Sequence, residues 1–205
     1  MNQTTLYSPV LAKIGAERGS KNLSDLTAQL RDTSYQEQLV KISLPLTSRK
    51  LERSFRENLI STYLKIIKNS PKNASKYLQL YLLRFEVENI KALIKATNAK
   101  LSPEEKLNKI YLSPEDYLKN RSVMEETAKA STIKQITKTL KKTDYVTTLN
   151  MGLQSYEEDG STTCLDVLID KTFYEKLHDT YESLPQKENH THISIQAQKM
   201  TALHC

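Results

Sequence analysis

Apolar side chains in this sequence recur mostly at intervals of three and four, the repeat of an amphipathic helix. The clearest case is YLQLYLLRFEVENIKALI, residues 77 to 94. On a helix of about 3.6 residues per turn, Leu80, Leu83, Val87, Ile90 and Ile94 form one stripe. Leu82, Glu86, Asn89 and Leu93 form a second, about a quarter turn away. Arg84, Glu88, Lys91 and Lys95 make the only fully polar ribbon, and Tyr81, Phe85 and Ala92 lie beyond it. Two hydrogen-bonding side chains, Glu86 and Asn89, therefore sit on a face that is otherwise core-bound. Residues 48 to 68 repeat Leu51, Phe55, Leu59, Tyr63, Ile66 and Ile67 in the same manner and predict a second long helix.

Helix starts are marked by side chains that accept from the first free backbone N–H groups. Ser102-Pro-Glu-Glu105 and Ser113-Pro-Glu-Asp116 each place Ser to cap, Pro at the first helical position and an acid at the third. Ser70-Pro71 is a plainer version. No stretch alternates with the period of two expected of a strand. The nearest, VKISLPL at 40 to 46, contains Pro45 and reads as a loop. The pattern predicts an all-α protein.

The chain also repeats itself. NLSDLTAQLRDTSYQEQL (22 to 39) aligns without a gap on TIKQITKTLKKTDYVTTL (132 to 149). Leu23 falls on Ile133, Leu26 on Ile136, Leu30 on Leu140, Thr33 on Thr143, Tyr35 on Tyr145 and Leu39 on Leu149. Downstream, LERSFRENLISTYL (51 to 64) resembles LDVLIDKTFYEKLH (165 to 178), with Leu51 on Leu165, Phe55 on Ile169 and Asn58 on Thr172. In each copy a short helix ends and the Thr hydroxyl is placed to cap the next one. The Tyr two residues on seats its ring in the bundle, and its hydroxyl stays wet or finds a partner. The expected organisation is a first module over 1–100, a second, incomplete one over 101–184, and a disordered polar tail over 185–205.

Composition agrees with a soluble helical protein. The chain has 205 residues, 38% hydrophobic and 26% charged, with only 4 Gly and 6 Pro against 11 Tyr. The net charge of +6 permits nucleic acid, an anionic membrane surface or an acidic protein, and selects none. Lys138, Lys141 and Lys142, the densest cations, read as a solvated helix face. No apolar run is long enough to span a bilayer. Charges at Lys13, Glu17 and Arg18 break any signal-peptide core, so the expectation is a chain made and kept in the cytosol, with any membrane role peripheral.

The residues offer little chemistry. Phosphate-cradling glycine loops are missing. His190, His192 and His204 fall in the polar tail, His178 on an exposed helix face, and Cys164 and Cys205 lack zinc-ligand spacing. No catalytic, cofactor or metal site is predicted. A general base at Glu86 or a thiol nucleophile at Cys164 is the enzymatic alternative, and a basic helical nucleic-acid-binding or adaptor module is the other. For Glu86 and Asn89 the stronger reading is structural, because polar atoms on a packed helix must be hydrogen-bonded there. The structural or interface candidates are Tyr35, Arg84, Glu86, Asn89 and Tyr145.

In order and spacing these segments resemble the C subunit of archaeal A-type ATP synthases, whose family includes the d subunit of eukaryotic V-type ATPases. The resemblance rests on YSPVLAKIGAER, LTAQLRDTSYQEQL, LERSFRENLISTYLKII, LLRFEVENIKALI with Glu86 and Asn89, and TLKKTDYVTTL followed by LIDKTFYEKL. It covers about residues 7 to 182. It implies similar helical modules arranged round a funnel, with no cofactor and no catalysis. The implied partners are central-stalk subunits and the proteolipid rotor ring, with no nucleic acid. The implied location is the cytoplasmic face of the membrane, where the protein passes torque between ion flow and the nucleotide-bearing head. Glu86 and Asn89 would fasten helices under load. Family members carry a third module, whereas this sequence stops within its second. The counterpart of residues 77–94 in that module is missing, which predicts an uncovered apolar face there.

Overall fold

A computed structural model describes residues 23–183, apart from 32 and 34. The N-terminal motif, the polar tail, His190, His192, His204 and Cys205 lie outside the described residues. Every regular element among those described is helical: α1 (Leu23–Leu30), α2 (Gln36–Val40), α3 (Ser48–Asn69), α4 (Lys72–Asn98), α5 (Pro103–Leu107), α6 (Leu112–Leu118), α7 (Arg121–Lys129), α8 (Ile133–Thr139), α9 (Val146–Asp159) and α10 (Thr163–Glu182). The chain is therefore all-α, and residues 40 to 46 run from the end of α2 into an irregular loop. No helix among the described residues is long and apolar enough to cross a membrane.

The chain divides into two compact units, residues 1–64 and 65–205, with the division inside α3. In the first unit Leu30, Leu39 and Leu51 are buried together, with Tyr35, Ile42 and Phe55 against them. In the second, one core joins Ile90 and Ile94 of α4 to Ile110, Met124, Ile136, Leu140, Tyr145, Leu149, Leu165, Ile169 and Phe173. Five of those positions repeat the first cluster: Leu140, Tyr145, Leu149, Leu165 and Ile169 stand for Leu30, Tyr35, Leu39, Leu51 and Phe55.

The backbone repeats with them. Thr33 donates its N–H and its hydroxyl to the Leu30 carbonyl, at 3.2 and 2.6 Å. Thr143 does the same to Leu140, at 2.9 and 2.7 Å. The Gln36 N–H returns to Thr33 and the Leu39 N–H to Tyr35, and Val146 and Leu149 return likewise to Thr143 and Tyr145. The Thr hydroxyl thus closes the preceding helix. In the first copy it also accepts the Tyr35 N–H at 3.3 Å, part of the forward-capping role that its position predicts.

Local signals set most helix boundaries. At α5 the capping box is complete: Ser102 accepts the Glu105 N–H, and the Glu105 carboxylate accepts the Ser102 N–H at 2.8 Å. Ser113 does not cap α6. That helix begins at Leu112 with Tyr111 at the capping position, because the Tyr111 backbone is claimed by a side chain of α4. Pro71 likewise occupies the capping position of α4 and not its first turn. The 27 residues of α4 run about 40 Å at 1.5 Å each. The helix ends with Lys100 in the left-handed region and the Leu101 N–H donating to Ala96.

The uncovered apolar face is not where the pattern predicts it. Leu165, Ile169 and Phe173 of α10, at 0%, 0% and 4% exposure, lie buried in the core that α4 completes. Two ion pairs, Lys91–Asp170 at 2.7 Å and Lys95–Asp166 at 2.6 Å, run along the α4–α10 contact. The fully polar ribbon is thus half interface.

Candidate functional site: a buried polar cluster on the longest helix

Glu86 and Asn89 are one helical turn apart on α4, and both are buried, at 3% and 1% exposure. Their partners come from segments far away in sequence. Glu86 Oε1 accepts from Asn120 Nδ2 at 2.6 Å, and Oε2 accepts from the Tyr145 hydroxyl at 3.1 Å. Asn89 Oδ1 accepts the Tyr111 N–H at 2.8 Å, while Nδ2 donates to the Tyr111 carbonyl at 2.7 Å. The amide so mimics one rung of a sheet ladder and clamps the turn before α6. Nδ2 also donates to Glu115 Oε1 at 2.7 Å.

Each partner is delivered by a local device. Lys119 takes a left-handed conformation at φ 62° and ends α6, with the Asn120 N–H returning to the Glu115 carbonyl at 2.9 Å. That turn brings Asn120 to Glu86. Tyr145 follows the repeated Thr-x-Tyr turn, and its ring is buried at 1% exposure. Lys176 of α10 stands 4.9 Å over that ring and also pairs with Asp144.

Burial dominates the electrostatics. Glu115 is fully buried, and its Oε2 has no hydrogen-bond partner among the described residues. Loss of solvation pushes its pKa up to about 7, against the Asn89 bond, which favours the anion, and with the nearby charges of Glu86 and Asp116. Burial likewise raises Glu86, opposed by the Tyr145 and Asn120 bonds and by Lys176. Burial, followed by the Glu86 charge, raises the Tyr145 hydroxyl. Buried Lys106, lowered by desolvation, donates to the Ala130 carbonyl just past α7, a helix end that favours a cation.

Of the five candidate residues, this cluster unites Glu86, Asn89 and Tyr145. Arg84 stays outside it, an exposed side chain paired with Glu88 at 3.5 Å. Tyr35 belongs to the first unit, its ring edge-on to Phe55 with centroids 5.0 Å apart. Glu115, Asn120 and the Tyr111 backbone escape sequence reasoning. No local signal marks them: Ser113-Pro-Glu-Asp116 reads as an ordinary helix start, and Glu115 lies in the first turn of α6 with its side chain buried. Cys164 is half-buried, and no group of His, Cys, Asp and Glu among the described residues could hold a metal.

These features define a class: an all-helical chain whose longest described helix is pinned by buried polar bonds to residues 111–145. The family model for the ATP synthase (C/AC39) subunit matches residues 19–196, and the chain belongs to that family. It is 29% identical over 183 residues to the A-type ATP synthase C subunit of Methanothermobacter thermautotrophicus, covering 88% of this chain and 46% of the relative. It is 28% identical over 181 residues to the protein of the same name from Methanocaldococcus jannaschii, covering 87% and 44%. The chain therefore spans just under half the length of these curated relatives. No solved structure matches it.

Proposed function

We propose that this chain is a non-catalytic coupling component of a rotary A-/V-type ATP synthase. It links the central stalk to the membrane rotor ring at the cytoplasmic face, peripheral to the membrane. The observation that carries this reading is the family match over residues 19–196, supported by two relatives that bear the name of the A-type ATP synthase C subunit. The buried cluster suits such a task. A torque-bearing element needs helices that do not slide, and directional hydrogen bonds in a dry interior penalise sliding more sharply than apolar contact does. Glu86, Asn89 and Tyr145 would be the fasteners, with Arg84 and Tyr35 as outward contact residues.

The test is isolation of the tagged chain from native membranes under mild detergent. The expected result is co-purification, in fixed proportion, with ring-forming proteolipid and central-stalk subunits. An intact synthase that assembles and turns over ATP without this chain would overturn the proposal.

A further inference from the structure

The short helix α6 has few apolar anchors. Of its 7 residues only Pro114 and Glu115 are buried; Leu112 is half-buried and Tyr117 is exposed. Its ties to α4 are mostly polar. Asn89 grips both backbone groups of Tyr111 and one oxygen of Glu115, Asn120 reaches Glu86, and Gln79 donates to the Tyr117 hydroxyl at 3.2 Å. By contrast, α10 meets α4 through a shared apolar core and two ion pairs. The carboxyl that docks α6 is poorly provided for as an anion. It is fully buried, with one donor on Oε1 and none on Oε2 among the described residues. The charges that act on it are those of Glu86 across on α4 and Asp116 beside it, both acids. Nearby cations serve other groups: Lys176 of α10 acts on Glu86 and pairs with Asp144, and Arg121 of α7 is bonded to Asp116 and Glu125. Tyr145, ahead of α9, donates to Glu86.

We propose that α6 is a proton-dependent latch on α4: residues 111–120 stay docked while Glu115 is uncharged, and loss of its proton releases them locally. The O–H bond of the carboxyl breaks, the proton passes to solvent, and the carboxylate gains its hydration shell as α6 lifts away. Release breaks the bonds to Asn89 and Glu86 and uncovers that face of α4, while the apolar contact between α4 and α10 persists. A helix of this length is marginal without its docking site, so release also melts it. Docking therefore strengthens in acid and weakens toward alkali. The inference does not depend on the rotary reading.

Native-state hydrogen exchange of the full chain, read by NMR and corrected for the intrinsic pH dependence of exchange, is the test. The docked carboxyl titrates at about 7 against an ordinary 4.5, so the docked form holds the extra proton between those values and docking weakens as pH rises through them. From about pH 5 to about pH 8, protection of the Tyr111 and Asn120 amides is expected to fall roughly 50- to 100-fold. At each pH these amides exchange faster than those of Ile169 and Phe173. Low concentrations of urea hardly change their opening, which marks a local event. Glu115→Gln keeps an acceptor for Asn89 and cannot ionise, and with it the same two amides vary by less than about threefold over that range. Glu86→Gln leaves most of the fall in place. Three results would overturn the proposal. One is equal protection and equal urea slopes in α6 and α10. Another is protection at Tyr111 and Asn120 that ignores pH in the parent chain. The third is a pH dependence that survives Glu115→Gln, or that disappears only in Glu86→Gln.

Discussion

Asn89 spends both ends of its amide on the Tyr111 backbone and one hydrogen also on Glu115. Replacing it with Leu removes at once a partner of the half-buried Tyr111 N–H, of the Tyr111 C=O and of the buried Glu115 carboxylate. At about 1–3 kcal/mol per orphaned group, only partly additive, Asn89→Leu is expected to cost about 3–5 kcal/mol in urea unfolding. Glu115 makes a distinct prediction. Its pKa lies at about 7 in the folded chain against an ordinary 4.5, so the folded state holds the extra proton between those values. Stability is then greatest at the acid end of that window and falls as pH rises through it, by up to about 3 kcal/mol. Glu86 is shifted in the same sense and steepens the fall. Glu115→Gln keeps an acceptor for Asn89 and removes the charge. This variant is expected to flatten the pH dependence between about 5 and about 8 and to exceed the parent in stability at the alkaline end. Chemical unfolding of both proteins at those two values checks it.

Among elements, the α9–α10 pair packs closely at Gly152. A Cβ on Gly152 would lie 2.6 Å from Leu165 Cδ2 and 3.2 Å from its Cα, so an added side chain forces Leu165 and the crossing to shift. A rotamer change of Leu165 relieves the closest contact but not the tight one with its Cα. Gly152→Ala gains helix propensity, about 1 kcal/mol, yet is expected to lose about 1–3 kcal/mol net through overpacking of the crossing. A lowered Tm with an unchanged far-UV helical signal is the expected reading. Helix existence was legible here: the stripes of α3 and α4 and the capping box at Ser102 are local patterns. The start of α6 was not, because Asn89, 22 positions earlier, decides where the Tyr111 backbone bonds.

For the whole molecule, the two self-aligned segments differ in how far their apolar stripes are buried. Leu59 and Phe173 hold equivalent positions, one 47% exposed and the other 4%. Leu59→Ala is expected to change stability by less than about 1 kcal/mol, whereas Phe173→Ala costs about 3–5 kcal/mol through the cavity it leaves. Equal costs in a paired denaturation experiment would mean that the stripe on α3 is as covered as its counterpart.

By itself the sequence determined the all-helical class, the self-alignment of two segments, the family resemblance and the presence of polar side chains on a buried stripe. Each is written in spacing along a single helix or in self-alignment, and each is a property of residues near one another or compared directly. Only the tertiary structure decided which segments meet. It paired Glu86 with Asn120 and Tyr145, drew Glu115 inward, turned Lys91 and Lys95 toward α10, and buried the apolar stripe of α10 in the core with α4. A helical stripe records that a face is buried but not what buries it. The choice of partner depends on shape and on hydrogen-bond completion across elements, and one-dimensional periodicity contains neither.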